Sequence, residues 1–199
     1  MIGIIQKVLL DLLEETGGKP LLGAVLKRAE VPEDVTFRID QNYSDDEFHR
    51  LLQASSDETG LSEDELSALY AKAFLKRARD LFPRFFDMSS SSEEFLLRQA
   101  TIHAVMASGL KTQEDRKAVT DKFFAEQVRP GFVRVNYRSP NKLCALYKAL
   151  AHEVAALYGE KLQVSCERCM KRGDAECCFA INWQTPRPVS LSDTAVTTA

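Results

Sequence analysis

The hydrophobic period changes partway along the chain, and that change limits the folds open to it. Up to about residue 106, apolar residues recur at helical spacing. In residues 2–15 the stripe is Ile5, Val8, Leu9, Leu12 and Leu13, which stops at Gly17-Gly18; Pro20 to Ala29 reads as a second short helix. Residues 44–58 place Phe48, Leu51 and Leu52 on one face behind Ser44. Residues 62–82 open with Ser62 and Glu65 at capping-box spacing and carry Leu66, Leu69, Tyr70 and Phe74. Ser92 starts a further helix through about Met106, and residues 112–126 also read as helix. "VTFRI" (35–39) alternates weakly and reads as extended.

Beyond "RPGF" the period falls to two. "FVRVNYRS" (132–139) and "CFAINW" (178–183) alternate as strands should, and "KLQVSC" (161–166) pairs naturally with the latter as a hairpin. Between them, residues 141–158 form a helix with Leu143, Leu146, Leu150 and Val154 on one side. The expected fold is therefore α+β: a helical region over 1–106, then a β-α-β-β unit over 107–183 with an antiparallel sheet. Residues 184–199 have little to pack and are expected to be disordered.

Composition narrows the class. With 199 residues, 45% hydrophobic content and a net charge of -3, the chain supports a substantial core and lacks the basic footprint of a nucleic-acid binder. No apolar run reaches the ~20 residues that span a bilayer. The apolar start lacks a basic n-region and a cleavage site, so the expected location is cytoplasmic. No nucleophile–base pair, phosphate loop or paired acids appear at suitable spacing, so no enzyme activity is expected.

Four of the five cysteines fall in "SCERCMKRGDAECC". The CxxC pair and a later cysteine past Gly173 resemble a zinc knuckle and hairpin. Cys177 and Cys178 are adjacent in a strand and point to opposite faces, so both cannot serve one metal. Cys144, at a strand-to-helix junction, is the better fourth ligand beside Cys166, Cys169 and Cys177, which leaves Cys178 in the core. A redox disulfide pair and a zinc site completed by a different group are the competing readings.

Two further places carry chemistry. His103, in "RQATIHAVMASG", reads either as a packed helix-end histidine or as an axial ligand of haem iron. His49 and His152 read as solvated. Tyr137 and Ser139 share one side of a strand end. They read either as a strand tyrosine with an N-cap serine, supported by Pro140 at the first helical position, or as two hydroxyls that hold an anionic group.

"MIGIIQKVLLDLLEE", "NYSDDEFHRLLQ", "FPRFFDMSS", "EEFLLRQATIHAVM", "VNYRSPNKLC" and "CERCMKRGDAEC" occur in the order found in H-NOX domains, and the chain resembles that family over residues 1–183. Within that family it resembles the bacterial stand-alone type with a C-terminal zinc site. The resemblance implies a haem b pocket between the helical and sheet regions, with His103 as the iron ligand. Tyr137 and Ser139 match the first two positions of the Y-x-S-x-R motif that holds the propionates. Asn141 stands where the family has Arg, and Lys142 follows it. "KTQEDRKAVTDKFF" replaces a proline-containing loop.

The position of the distal tyrosine found in oxygen-binding members is Leu146 here. A distal wall of Ile5, Leu9 and Leu146 implies binding of nitric oxide, and of carbon monoxide, without stable oxygen binding. Tyr147 is expected to face about 100° away. Family zinc positions fall on Cys144, Cys166, Cys169 and Cys177. The implied function is a nitric oxide sensor in which a weakened iron–histidine bond moves the His103 helix. A separate histidine kinase or cyclic-di-GMP enzyme reads that movement. The alternative is a haem-free zinc/thiol redox-sensing or small-ligand-binding domain of the same fold, since the cysteine-and-glycine pattern also resembles vinyl-reductase-type binding domains.

Overall fold

The computed structural model describes residues 2–39, 41–110 and 112–184, so the expected tail lies outside the described residues from 185 onward. Helix α1 (Ile4–Arg28) is bent rather than ended by its glycines. Gly18 takes φ 66 and ψ −169, a conformation open essentially to glycine alone, and Pro20 follows it inside the helix. The two segments read from the sequence are the two arms of this kink. "VTFRI" forms no strand. Helix α2 (Asp45–Thr59) begins where Ser44 accepts the Glu47 N–H, and three acids face its positive end. Helix α3 (Glu63–Leu81) has the full capping box: Ser62 Oγ accepts from Glu65 N, and Glu65 accepts the Ser62 N–H at 2.9 Å. Leu69, expected in the buried stripe, is 44% exposed, while Leu66 and Tyr70 are buried.

Helix α4 (Pro83–Asp87) leads to α5 (Ser92–Leu97), which Ser91 caps, and α6 (Gln99–Ser108) follows. The single helix expected from Ser92 to Met106 is thus broken at Arg98. The largest departure comes next. Helix α7 (Gln113–Thr120) stops early, and Phe123–Arg129 is strand β1. Residues 121–126 were expected to be helical. In the fold they pair with β2 (Phe132–Tyr137), with Phe123 opposite Tyr137 and Ala125 opposite Val135. Pairing across a strand outweighs a weak local helix preference, which amounts to only tenths of a kcal/mol per residue.

Helix α8 (Cys144–Leu157) begins three residues later than expected. Lys142 has φ 48, a left-handed conformation that cannot continue a helix, and Ser139 closes a turn by accepting the Lys142 N–H on its carbonyl. Ser139 is therefore not the N-cap, and Pro140 is not the first helical residue. Strands β3 (Leu162–Arg168) and β4 (Cys177–Trp183) complete an antiparallel sheet of order β1-β2-β4-β3. The unit is β-β-α-β-β, one strand more than the sequence suggested.

Among the described residues two large hydrophobic cores result, with a small third cluster of Ala107, Leu110 and Val119. One lies in the helical region, around Val8, Leu9, Leu13, Phe48 and Leu51. The other lies between the sheet and α5 and α8, around Phe95, Val133, Tyr147, Phe179 and Ile181. Helix α3 packs along α8 and joins the two.

Candidate functional site

A cavity of about 220 Å³ lies between the two cores. Its walls are mostly apolar: Ile5 from α1, Phe74 from α3, Ile102 from α6, Phe123 from β1, and Leu146 and Leu150 from α8. Of the expected site residues, His103, Tyr137, Asn141, Ile5 and Leu146 line it together. Leu9 is fully buried in the helical core and is not among the described lining residues. Ser139 is also buried and stands behind Tyr137, whose hydroxyl it contacts.

His103 is half-buried on α6. Its Nδ1 lies 2.7 Å from the Gln99 carbonyl one turn earlier, so that nitrogen carries the proton and Nε2 keeps its lone pair. Burial lowers the imidazole pKa, and the positive charge of Lys122 adds to this, against the hydrogen bond to Gln99. The ring is therefore neutral at neutral pH, with a free nitrogen donor. The Phe123 ring lies 4.7 Å from it and stacks at 5.0 Å on Tyr137. Tyr147, expected to face elsewhere, lines the same cavity, and its hydroxyl donates to Gln99 Oε1 at 3.4 Å.

Asn141 is 2% exposed, and its Oδ1 has no hydrogen-bond partner among the described residues. Lys142 is exposed and turned to a second cavity of about 330 Å³, which also holds His49 and Lys171. His152 is exposed, as expected; His49 is half-buried.

The cysteines gather where β2, α8 and β4 meet. Tyr137 pairs with Cys177, and Cys144 opens α8 beside them. Cys144 Sγ stands 3.0 Å from Cys177 Sγ and 3.6 Å from Cys169 Sγ. These three buried thiols form a group that could hold a metal; the Cys144–Cys169 spacing is near the ~3.8 Å of sulfurs on a tetrahedral zinc with bonds of about 2.3 Å, and the Cys144–Cys177 spacing is shorter. Cys166 is set beside this group. Its thiol donates to the Arg168 carbonyl at 2.9 Å, where β3 bulges. Cys178 is buried on the other face and contacts Glu167, as strand parity requires.

Burial and the neighbouring thiols push Cys166 up to about 11. Burial also opposes ionisation of Cys169, but the Lys171 backbone and the three nearby thiols pull it below the ordinary value. Cys169 is thus held toward the thiolate, which is the form a metal binds.

Sequence reasoning missed Lys122, Phe123 and Gln99. "FFAEQV" does not alternate between apolar and polar residues and so carries no period-two signal, while Gln99 could be found only by its one-turn spacing from His103.

The sequence matches the family model for haem-NO-binding proteins over residues 2–166. No curated protein matches it. An H-NOX protein from S. oneidensis, solved in the Fe(II)NO ligation state, is 20% identical, with a TM-score of 0.74 over 93% of this chain and 100% of its own. An Fe(II) unliganded H-NOX protein from K. algicida is 22% identical, with a TM-score of 0.77 over 96% and 100%. An oxygen-binding H-NOX domain related to soluble guanylate cyclases, in its oxygen complex, is 20% identical, with a TM-score of 0.74 over 94% and 96%. Among the described residues, no helix is long and apolar enough to cross a membrane.

Proposed function

Since the chain belongs to the haem-NO-binding (H-NOX) family, we propose that residues 1–183 act as one haem-based nitric oxide sensor unit, with His103 as the iron ligand. The observation that carries this reading is the state of His103: neutral, fixed through Nδ1, with Nε2 open beside an apolar cavity that both halves of the molecule line. That donor chemistry fits haem b, whose iron would supply the gas-binding atom. At about 220 Å³ the cavity lies below the ~300–1,000 Å³ of ordinary ligand pockets, and the Phe123 ring fills the space beside the imidazole. Phe123 is therefore the side chain that has to yield.

Tyr137 and Asn141 line the cavity on the propionate side, with Ser139 behind Tyr137. Ile5 and Leu146 form the distal wall, with Leu9 in the core they belong to. This wall favours nitric oxide and carbon monoxide over stable oxygen binding, because the nearby hydroxyls are engaged. Tyr70 donates to the Ile5 carbonyl at 2.9 Å, and Tyr147 donates to Gln99. Cys144, Cys169 and Cys177, with Cys166 turned in from the Arg168 carbonyl, suit a zinc clamp on the sheet half. The output passes to a separate cytoplasmic effector, a histidine kinase or cyclic-di-GMP enzyme, and the chain itself performs no catalysis.

Absorbance of the purified protein tests this. The expected result is a strong Soret band that shifts with nitric oxide, forms no stable oxygen complex, and is lost in His103→Gly. Protein that stays colourless after haem supplementation, yet carries one zinc per chain, supports the thiol-based alternative instead.

A further inference from the structure

A carboxylate that enters an apolar cavity needs a cation, because an unpaired buried charge costs several kcal/mol. The third position of the propionate motif supplies none: Asn141 is a neutral amide. Its neighbour Lys142 is exposed, with φ 48, and lines the other cavity. Arg138, between the two hydroxyl residues, is exposed as well.

Lys122 is different. It lines the cavity and, among the described lining residues, is the one lysine or arginine. Its backbone carbonyl accepts the Arg138 N–H at 2.9 Å, so it lies directly across from the middle of Tyr137-Arg138-Ser139. The next pair in the ladder is Phe123 with Tyr137, which fixes the register of Lys122 against the motif. Burial lowers the ammonium pKa, and the Asp45 carboxylate at the start of α2 acts in the opposite direction. An exposed surface lysine would not bear this desolvation.

We infer that Lys122, supplied by the turn that leads into β1 beside the motif, is the cation that receives the carboxylate of the cavity's ligand in place of the missing arginine. The inference rests on the reading of the cavity as a porphyrin site. Lys122 acts by pairing its charge with a propionate, while His103 addresses the metal, so the two contributions are separable.

Titration of the full 199-residue chain, freed of porphyrin, with haemin and with haemin dimethyl ester tests this by Soret absorbance. The wild-type protein is expected to bind the diacid at least tenfold more tightly than the diester, as a charge-assisted contact implies. Lys122→Gln is expected to abolish most of that preference while keeping the diester affinity, which also shows that it folds. Lys122→Arg is expected to retain the preference, and Lys142→Gln to leave it unchanged. Equal preference in wild type and Lys122→Gln overturns the role of Lys122 alone. Failure of the wild type to bind either porphyrin overturns the haem reading and this inference together.

Discussion

The Tyr137 phenol lies among Phe123, Tyr147 and Ser139, and its burial pushes its pKa up to about 12 despite the contacts with Ser139 and the Leu143 backbone. An unfolded tyrosine ionises near 10, so between pH 10 and 12 the unfolded state loses a proton that the folded state keeps. Stability associated with Tyr137 is therefore complete below pH 10 and lost as pH rises toward 12. Denaturant unfolding at pH 9 and at pH 11.5 should show a smaller alkaline loss for Tyr137→Phe than for wild type, by up to about 2 kcal/mol. An identical loss would mean that Tyr137 is not desolvated. The residue scale also shows what spacing cannot carry. Tyr137, Asn141 and His103 were legible as candidates because each belongs to a local pattern. Lys122 was not, because its importance comes from a neighbouring strand and its own segment reads as an ordinary charged stretch.

Most helices of the N-terminal region were legible from capping and stripe alone, since Ser44, Ser62 and Glu65 act within one turn. The boundaries that failed depend on tertiary contacts. Arg98 breaks α5 from α6, and β1 exists because β2 offers it a ladder. At Gly18 a sequence signal for a stop became a bend, because α1 continues in register past one glycine-only backbone conformation. Gly18→Ala should lower stability by roughly 1–3 kcal/mol, the cost of holding a side chain in that region of φ/ψ. Chemical denaturation measures it. A neutral result would show that the arm carrying Pro20 moves freely. The start of α1 is also closely set: a Cβ on Gly3 would lie 2.2 Å from the Arg38 carbonyl oxygen.

At the scale of the whole molecule, the cysteine group is a point where elements distant in sequence converge. Lys171, in the loop between Cys169 and Cys177, is ion-paired to Glu63 at the start of α3. The loop thus touches the helical region as well as its own sheet. If zinc occupies the thiols, chelation with EDTA should lower the Tm of the wild type by several degrees, since metal binding is folding free energy. The same treatment should have no effect on Cys144→Ser, and Cys178→Ser should respond as wild type does. A chelator response in Cys144→Ser would exclude that residue as a ligand.

The two large cores are neighbours. They are joined where α3 lies along α8 and otherwise face each other across the cavity walls. A molecule divided in this way has a seam along which one half can loosen before the other. An occupant of the cavity touches both sides of that seam and turns two loosely coupled folding units into one. Occupancy is then written into the cooperativity of unfolding, so that the sharpness of the transition, and not only its midpoint, reports whether the seam is closed.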